Sequence, residues 1–400
     1  MLPRTLEETT LDHIRALVDG QVDERMRLEY KREVHTDFGD FAVDITSFAN
    51  TVGGDMIIGL DEARDANGNK LGYPAPWETQ GIQLGNTDEL ITRLNSKILD
   101  KELIEPRIIG VRFLVVDGLP NGSVLIVRIP RSLHRLHMVR STRHHSFYMR
   151  SEKGAYPLRV HEIQAKFEET EAVANRMRRF LNERLATILT NEGAVSLGDG
   201  PKTIVHMLPL QSFELGLEIP AVRIRQQIGL LHVLRRGPGM PSYMNQDGVF
   251  MASSLGDGDN GAYLQVFRSG VMETVSTELI RRRDDGRRNI PVSNVESALA
   301  AFVHSALRFY RDLGFEPPVS VLVQFTGVRG YTLEEERLDD LQRIRRDTLE
   351  CPRVTFDRLD YERVSQVGTA LRPVFDVIWQ ACQLSQSRNF RDDGTWVYAD

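Results

Sequence analysis

Between Arg25 and Asp61 the hydrophobic period changes twice, and that confines the fold to a mixture of helix and sheet. From Arg25 to Lys31 the residues alternate, with Met26, Leu28 and Tyr30 on one side and Arg25, Arg27, Glu29 and Lys31 on the other. A period of two reads as a strand with one wet, heavily charged face. From Phe38 onward the apolar set is Phe38, Phe41, Ala42, Ile45, Phe48 and Ala49, a helical stripe. Asp37 stands where an N-cap belongs, and Gly53-Gly54 ends the helix. The apolar run from Met56 to Leu60, closed by Asp61, is a short buried strand. The class that follows is α+β, with a mixed sheet and flanking helices.

The remaining chain continues in the same manner. Helices are expected at residues 6–17, 87–99 and 160–190, strands at 107–116, 123–129 and 146–150, and a turn-rich excursion at 61–80. At roughly 150 residues per domain, 400 residues call for two domains or three. The Gly-rich stretch 191–202 is the expected boundary, giving domains 1–190 and 200–400. The second reads as another α+β unit of unknown type. Its strands are expected near 203–208, 249–252, 263–267, 271–275 and 319–325, and its helices near 221–234, 294–313 and 368–384.

Composition excludes several functions. With 41% hydrophobic and 26% charged residues the chain is globular rather than disordered or fibrous. No apolar run approaches the ~20 residues of a membrane span, and the N-terminus has no apolar core behind a basic start, so no secretory signal is expected. Two cysteines, Cys351 and Cys382, exclude a disulfide framework and a zinc ribbon and suit a reducing cytoplasm. A net charge of −6 argues against coating DNA by bulk charge, so a nucleic-acid site must be a local patch.

One such patch is visible. Between Asp117 and Glu152 there is no acidic residue, yet Arg128, Arg131, Arg135, Arg140, Arg143 and Arg150 occur there, with His134, His137, His144 and His145 and the rings of Phe147 and Tyr148. Guanidinium forks fit phosphate oxygens and aromatic rings offer faces for bases; a solvated loop has the same composition. No cysteine joins the histidines, which does not favour zinc. Glu24, Glu29 and Asp61 are the second feature. Acids at strand ends hold hard cations such as Mg²⁺ or Mn²⁺, which can polarise a phosphodiester. Five residues apart, Glu24 and Glu29 converge only if Glu24 lies in the turn before the strand. Ordinary surface acids would look the same.

Other motifs fail. No GxxxxGK[ST] occurs, and Gly53-Gly54 precedes a strand rather than a helix, so neither a P-loop nor a dinucleotide fingerprint is present. Asp65 to Gly68 is a turn rather than a calcium loop. Residues 253–262 read as a hairpin loop, and residues 281–288 as an exposed loop in which Asp284 and Asp285 offset part of the arginine charge.

Three segments together resemble the AlbA-type nucleic-acid-binding domain of the Schlafen family: Glu24-RMRLEY-Lys31, Asp44-ITSFANTVGGDMIIGLD-Glu62, and His134-RLHMV with Phe147-YMRSEKGAYPL. The resemblance covers about residues 8–165, and its FANTxGG…IGxD pair is the specific part. It implies that Glu24, Glu29 and Asp61 are placed like the three acids of animal Schlafen nucleases, which cut tRNA and rRNA, with Mg²⁺ or Mn²⁺ as cofactor and Lys31 beside the scissile phosphate. Arg135, Arg140, Arg143, Tyr148 and Arg150 would hold the nucleic acid. The chain lacks the zinc finger of those nucleases and shows one copy of a domain that they pair, so a homodimer or higher oligomer is expected. The leading expectation is a metal-dependent endonuclease acting on structured RNA, tRNA first, or on DNA. Residues 200–400 would sense a trigger or bind a protein partner, as in a bacterial defence system. The alternative is a non-catalytic nucleic-acid-binding regulator or assembly module; nucleotide hydrolysis has no visible phosphate loop.

Overall fold

The computed structural model describes residues 2–398 except 4, 5, 133, 134, 215, 236–239, 255–259, 281–285, 287 and 335–341. His134, the middle of the expected 253–262 hairpin loop and most of the expected 281–288 loop therefore lie outside the described residues. Two compact units are present, Met1–Ala174 and Asn175–Asp400. Their division falls within one helix, Val160–Leu189.

In the first unit, α1 (Leu11–Asp19) leads to β1 (Leu28–Lys31), α2 (Phe38–Ala49) and β2 (Gly54–Ile58). A hairpin β3 (Glu62–Arg64) and β4 (Lys70–Pro74) precedes α3 (Thr87–Ile98). Then come β5 (Ile104–Glu105), β6 (Arg112–Leu119), β7 (Gly122–Ile129), β8 (Met138–Arg140), β9 (His145–Ser151), β10 (Gly154–Pro157) and α4 (Val160–Leu189). Among the described residues one sheet runs β1-β2-β7-β6, with β1 and β2 parallel and the rest antiparallel, which makes it mixed. A second runs β10-β9-β8-β5. Alternation along β2 and β7 feeds two cores. Met56, Ile58, Leu125, Val127 and Ile129 pack with the stripe of α2, while Ile57, Val124 and Ile126 pack with Ile14, Leu17 and Tyr30. A sheet buried on both faces explains why its central strands carry near-continuous apolar runs.

The FANTxGG motif has a mechanical role. Asp37 caps α2 by accepting from the Gly39 amide at 2.7 Å. At the other end, Asn50 donates to the carbonyls of His137 at 2.8 Å and Tyr148 at 2.9 Å, and accepts from the His137 amide at 2.8 Å. Thr51 accepts from the Arg150 amide at 2.8 Å. These buried bonds pin β8 and β9 to the end of α2. Gly53 has φ +67°, and a Cβ there would sit 2.7 Å from the Arg131 nitrogen; one on Gly54 would strike the Arg27 carbonyl. The motif's glycines allow backbone to approach backbone.

The first strand is shorter than its alternation suggests. Arg25 and Leu28 bond to each other across a turn, N to O at 3.1 and 3.0 Å, so pairing starts only at Leu28. The 61–80 excursion contains the β3–β4 hairpin.

The second unit contains the C-terminal half of α4, then β11 (Lys202–Pro209), α5 (Ala221–Gln227), β12 (Ser242–Asn245), β13 (Gly248–Ala252), β14 (Ala262–Phe267), β15 (Met272–Ser276) and β16 (Asn289–Ile290). Next are α6 (Val292–Leu313), β17 (Val319–Thr326), β18 (Thr332–Leu333), β19 (Leu349–Glu350), β20 (Val354–Phe356), α7 (Val364–Ala370) and α8 (Arg372–Gln380). The sheet order is β12-β13-β14-β15-β11-β17-β19, with β20 also on β17. One face packs on α6 and α8 through Val205, Met207, Phe302 and Phe375; the other meets Ile188 through Ile204, Tyr263 and Val275. The expected helix at 368–384 is two helices divided at Leu371, because Pro373 sits in the first turn of α8 and cannot donate to a continuous helix. The chain is α+β throughout, and among the described residues no helix is long and apolar enough to cross a membrane.

Candidate functional site

The acids singled out in the sequence are placed by the turn before β1 and by the end of β2. Glu24 lies outside the strand, and its carboxylate accepts the Tyr30 amide at 2.6 Å, folding back beside Glu29. Burial, together with Glu62 and Glu29 and against the Tyr30 amide and Lys70, pushes its pKa up to about 7. Glu29 is buried and takes Lys31 and Arg150 as ion-pair partners. Asp61 is half-exposed, and its carboxylate faces Arg32 at 3.7 Å. It is Glu62, buried and paired with Lys70, that stands in electrostatic reach of Glu24. Spacing could not have chosen between two adjacent acids, because neighbours at a strand end point to opposite sides.

Asp44 on α2 belongs to this cluster although nothing in its sequence setting marks it. It holds the Lys31 ammonium at 3.0 Å and the His35 Nε2 at 2.7 Å. Burial raises the Asp44 carboxyl, but His35 and Lys31 outweigh it and hold it below the ordinary range. Burial pulls the Lys31 ammonium down, and Asp44 and Glu29 more than offset that, so Lys31 stays charged. Arg150, Glu29, Lys31 and Asp44 form one chain of alternating charge, which ends on the hydrogen bond between Asp44 and His35.

As placed, Glu24, Glu29 and Asp61 do not gather around one point. Among the described residues no three His, Cys, Asp or Glu side chains gather as a metal would require. Glu29 and Glu62 face Arg150, Lys31 and Lys70, so the charge of those two is already offset, while Glu24 keeps a backbone amide.

The basic patch divides by burial. Arg150, expected in the binding set, is placed inside the unit: its side chain is 3% exposed, with the guanidinium 4.1 Å above the Phe48 ring and paired to Glu29. Arg128 forks onto Asp55 at 2.7 and 3.0 Å across the β2–β7 pair. Arg140 and Arg143 are exposed, and their partners Glu105, at 2.5 Å, and Asp37, at 3.0 Å, are exposed as well. Such pairs contribute about 0–1 kcal/mol and exchange readily for phosphate. Arg135 is exposed. Tyr148 is half-buried, its ring edge-on to His144, which bonds Asp40 at 2.7 Å.

An α+β unit with an exposed, arginine-bearing hairpin beside a neutralised carboxylate cluster is the class of site the geometry defines. Residues 24–159, about a third of the chain, match the family model of the Schlafen AlbA_2 domain, and this segment is similar to that domain. The N-terminal domain of a RecG-related protein from Nitrosomonas europaea, solved by solution NMR, is 22% identical over 29% of this chain and 71% of that chain, with a TM-score of 0.22. No curated protein matches.

Glu24 also sets a stability profile. Its folded pKa lies above the unfolded carboxylate value, so its contribution is complete below about pH 4.5 and is lost as pH rises through about 7. The Glu24→Gln variant should therefore match wild type near pH 4 and exceed it at pH 8 by about 1 kcal/mol, allowing for solvent screening of a half-buried group. Urea unfolding at the two pH values measures this, and an equal gain at both would refute it.

Proposed function

We propose that the N-terminal unit binds nucleic acid through exposed arginines on residues 135–145, and that it binds without cutting. The observation that carries this reading is the division of charge by burial. Arg135, Arg140 and Arg143 are exposed on or beside one hairpin, while Glu29, Glu62 and Glu24 are engaged inside the unit. Phosphate contacts of this kind position a nucleic acid without reading its sequence. Tyr148 offers an edge against which a base can rest.

The second reading is a metal-dependent endonuclease acting on tRNA, other structured RNA or DNA, with Mg²⁺ or Mn²⁺ at Glu24, Glu29 and Asp61 and Lys31 beside the phosphate. One observation favours it: burial and the neighbouring Glu62 and Glu29 crowd charge around Glu24, a repulsion that an added cation would relieve. On either reading a homodimer would rebuild a two-lobed groove from one copy of the domain.

The test uses the full chain with total tRNA, plasmid and single-stranded DNA, in Mn²⁺, Mg²⁺ or EDTA. Binding should survive EDTA and the Asp61→Ala change, and fall at least about tenfold in Arg135→Glu/Arg143→Glu. Metal-dependent fragments that vanish in Asp61→Ala would replace this reading with the second.

A further inference from the structure

The second unit carries its own concentration of arginine for which no ion-pair partner stands among the described residues. Three separate stretches meet there. Thr332 donates to the Arg288 carbonyl at 3.0 Å, Gly330 to the Ile344 carbonyl at 2.8 Å, Ile344 to the Tyr331 carbonyl at 2.8 Å, and Val328 to the Asp347 carbonyl at 3.1 Å. Backbone bonds thus hold Arg288, Arg329, Arg343, Arg345 and Arg346 together, and all but Arg343, Arg345 and Arg346, which share one stretch, come from different parts of the chain. Ile344 is buried at 3% exposure, which anchors the stretch from which three of the arginines project. Arg288 Nη1 donates to the Arg329 carbonyl at 3.4 Å; among the described residues no ion pair engages any of the five.

This contrasts with the N-terminal patch, where Arg128, Arg140, Arg143 and Arg150 each face a carboxylate. The acid nearest by backbone, Asp347, turns its carboxylate to the Gly327 amide at 3.3 Å, and Glu334 has an interaction of its own. Glu335, Glu336, Asp339 and Asp340 lie outside the described residues. No large hydrophobic residue is exposed among the described residues of 286–350, so the surface offers a lipid bilayer nothing to bury. Planar guanidinium forks on a backbone-braced platform fit phosphate oxygens best.

We infer that the surface formed by Arg288, Arg329, Arg343, Arg345 and Arg346 is a second contact for a nucleic-acid backbone, separate from the N-terminal hairpin. It lends affinity without sequence preference, through counterion release. The inference does not rest on the reading of the first unit.

Fluorescence anisotropy of the full chain on a 40-nucleotide RNA strand and on a 40-base-pair DNA duplex tests it. Arg329→Glu/Arg343→Glu/Arg345→Glu should weaken binding at least about tenfold, and should lower the log–log salt slope on duplex by about 0.9 for each phosphate that is no longer neutralised. The same three changed to Lys should keep most of the affinity and show that folding is intact. Arg178→Glu/Arg179→Glu/Arg225→Glu, an equal charge change at exposed positions of the same unit, should stay within about twofold. An equal loss in that control would reduce the effect to net charge and overturn the inference. So would unchanged affinity in the first variant while Arg135→Glu/Arg143→Glu abolishes binding, an outcome that leaves the N-terminal reading standing. Absence of binding by wild type would overturn both.

Discussion

The Arg150→Ala variant should lose about 3 kcal/mol of stability in the first unit while its affinity for nucleic acid, measured well below the melt, stays within about twofold. Three losses combine. Glu29 keeps Lys31 but loses one of its two cations in a buried setting. The guanidinium leaves the Phe48 face, an interaction of about 0.5–2 kcal/mol. A cavity opens behind β9, whose amide at this position is tied to Thr51. Arg150→Lys should recover little, because an ammonium cannot lie flat on the ring and fork toward a carboxylate together. Thermal unfolding with a binding isotherm separates the roles. A stable variant that has lost tenfold in affinity would make Arg150 a nucleic-acid contact after all.

That contrast shows what could be read from sequence. The order of elements in the first unit was legible because both periods were strong and α2 carried its own stop and start signals, Asp37 and Gly53-Gly54. The conditional statement about Glu24 also had an answer: it lies in the turn, as convergence with Glu29 required. The charge run from Arg128 to Arg150 was visible, but its meaning was not. Partners for four of its arginines come from Asp37, Asp55, Glu105 and Glu29, which are remote in sequence and arrive only through β-pairing and the α2 docking. A charge block with no acids inside it is neutralised from outside, and a local window cannot show that. The converse holds in the second unit. The window around Arg343 is rich in acids, yet the folded backbone brings Arg288 and Arg329 to the same place. Asn50 is legible as a member of its motif, but its task of bonding two strands is invisible until those strands are placed.

The largest effect is expected from Glu273→Ala, about 3–5 kcal/mol, because this buried carboxylate is the common partner of two buried groups and a half-buried guanidinium. It is fully buried on β15 and accepts both arms of Arg184 at 2.8 Å, His206 Nε2 at 3.1 Å and the Tyr263 hydroxyl at 2.7 Å. Phe180 closes the cluster against Phe213, Phe267 and His206. Removing the acid leaves the buried Tyr263 hydroxyl and the half-buried Arg184 guanidinium without their acceptor. Burial alone would raise the Glu273 carboxyl, but Arg184 and His206 overcome it and bring the pKa to about 2. A depressed folded pKa contributes stability that is complete above about pH 4.5 and is lost as pH falls toward 2. Wild type should therefore lose more stability between pH 5 and pH 3 than Glu273→Ala does. A double-mutant cycle with Arg184→Met supplies the second readout. Removing both partners should cost much less than the sum of the single changes, since the charge that either change strands is then gone. Additive losses in urea unfolding, or a pH profile that the mutation leaves unaltered, would mean that the clasp is geometry without coupling.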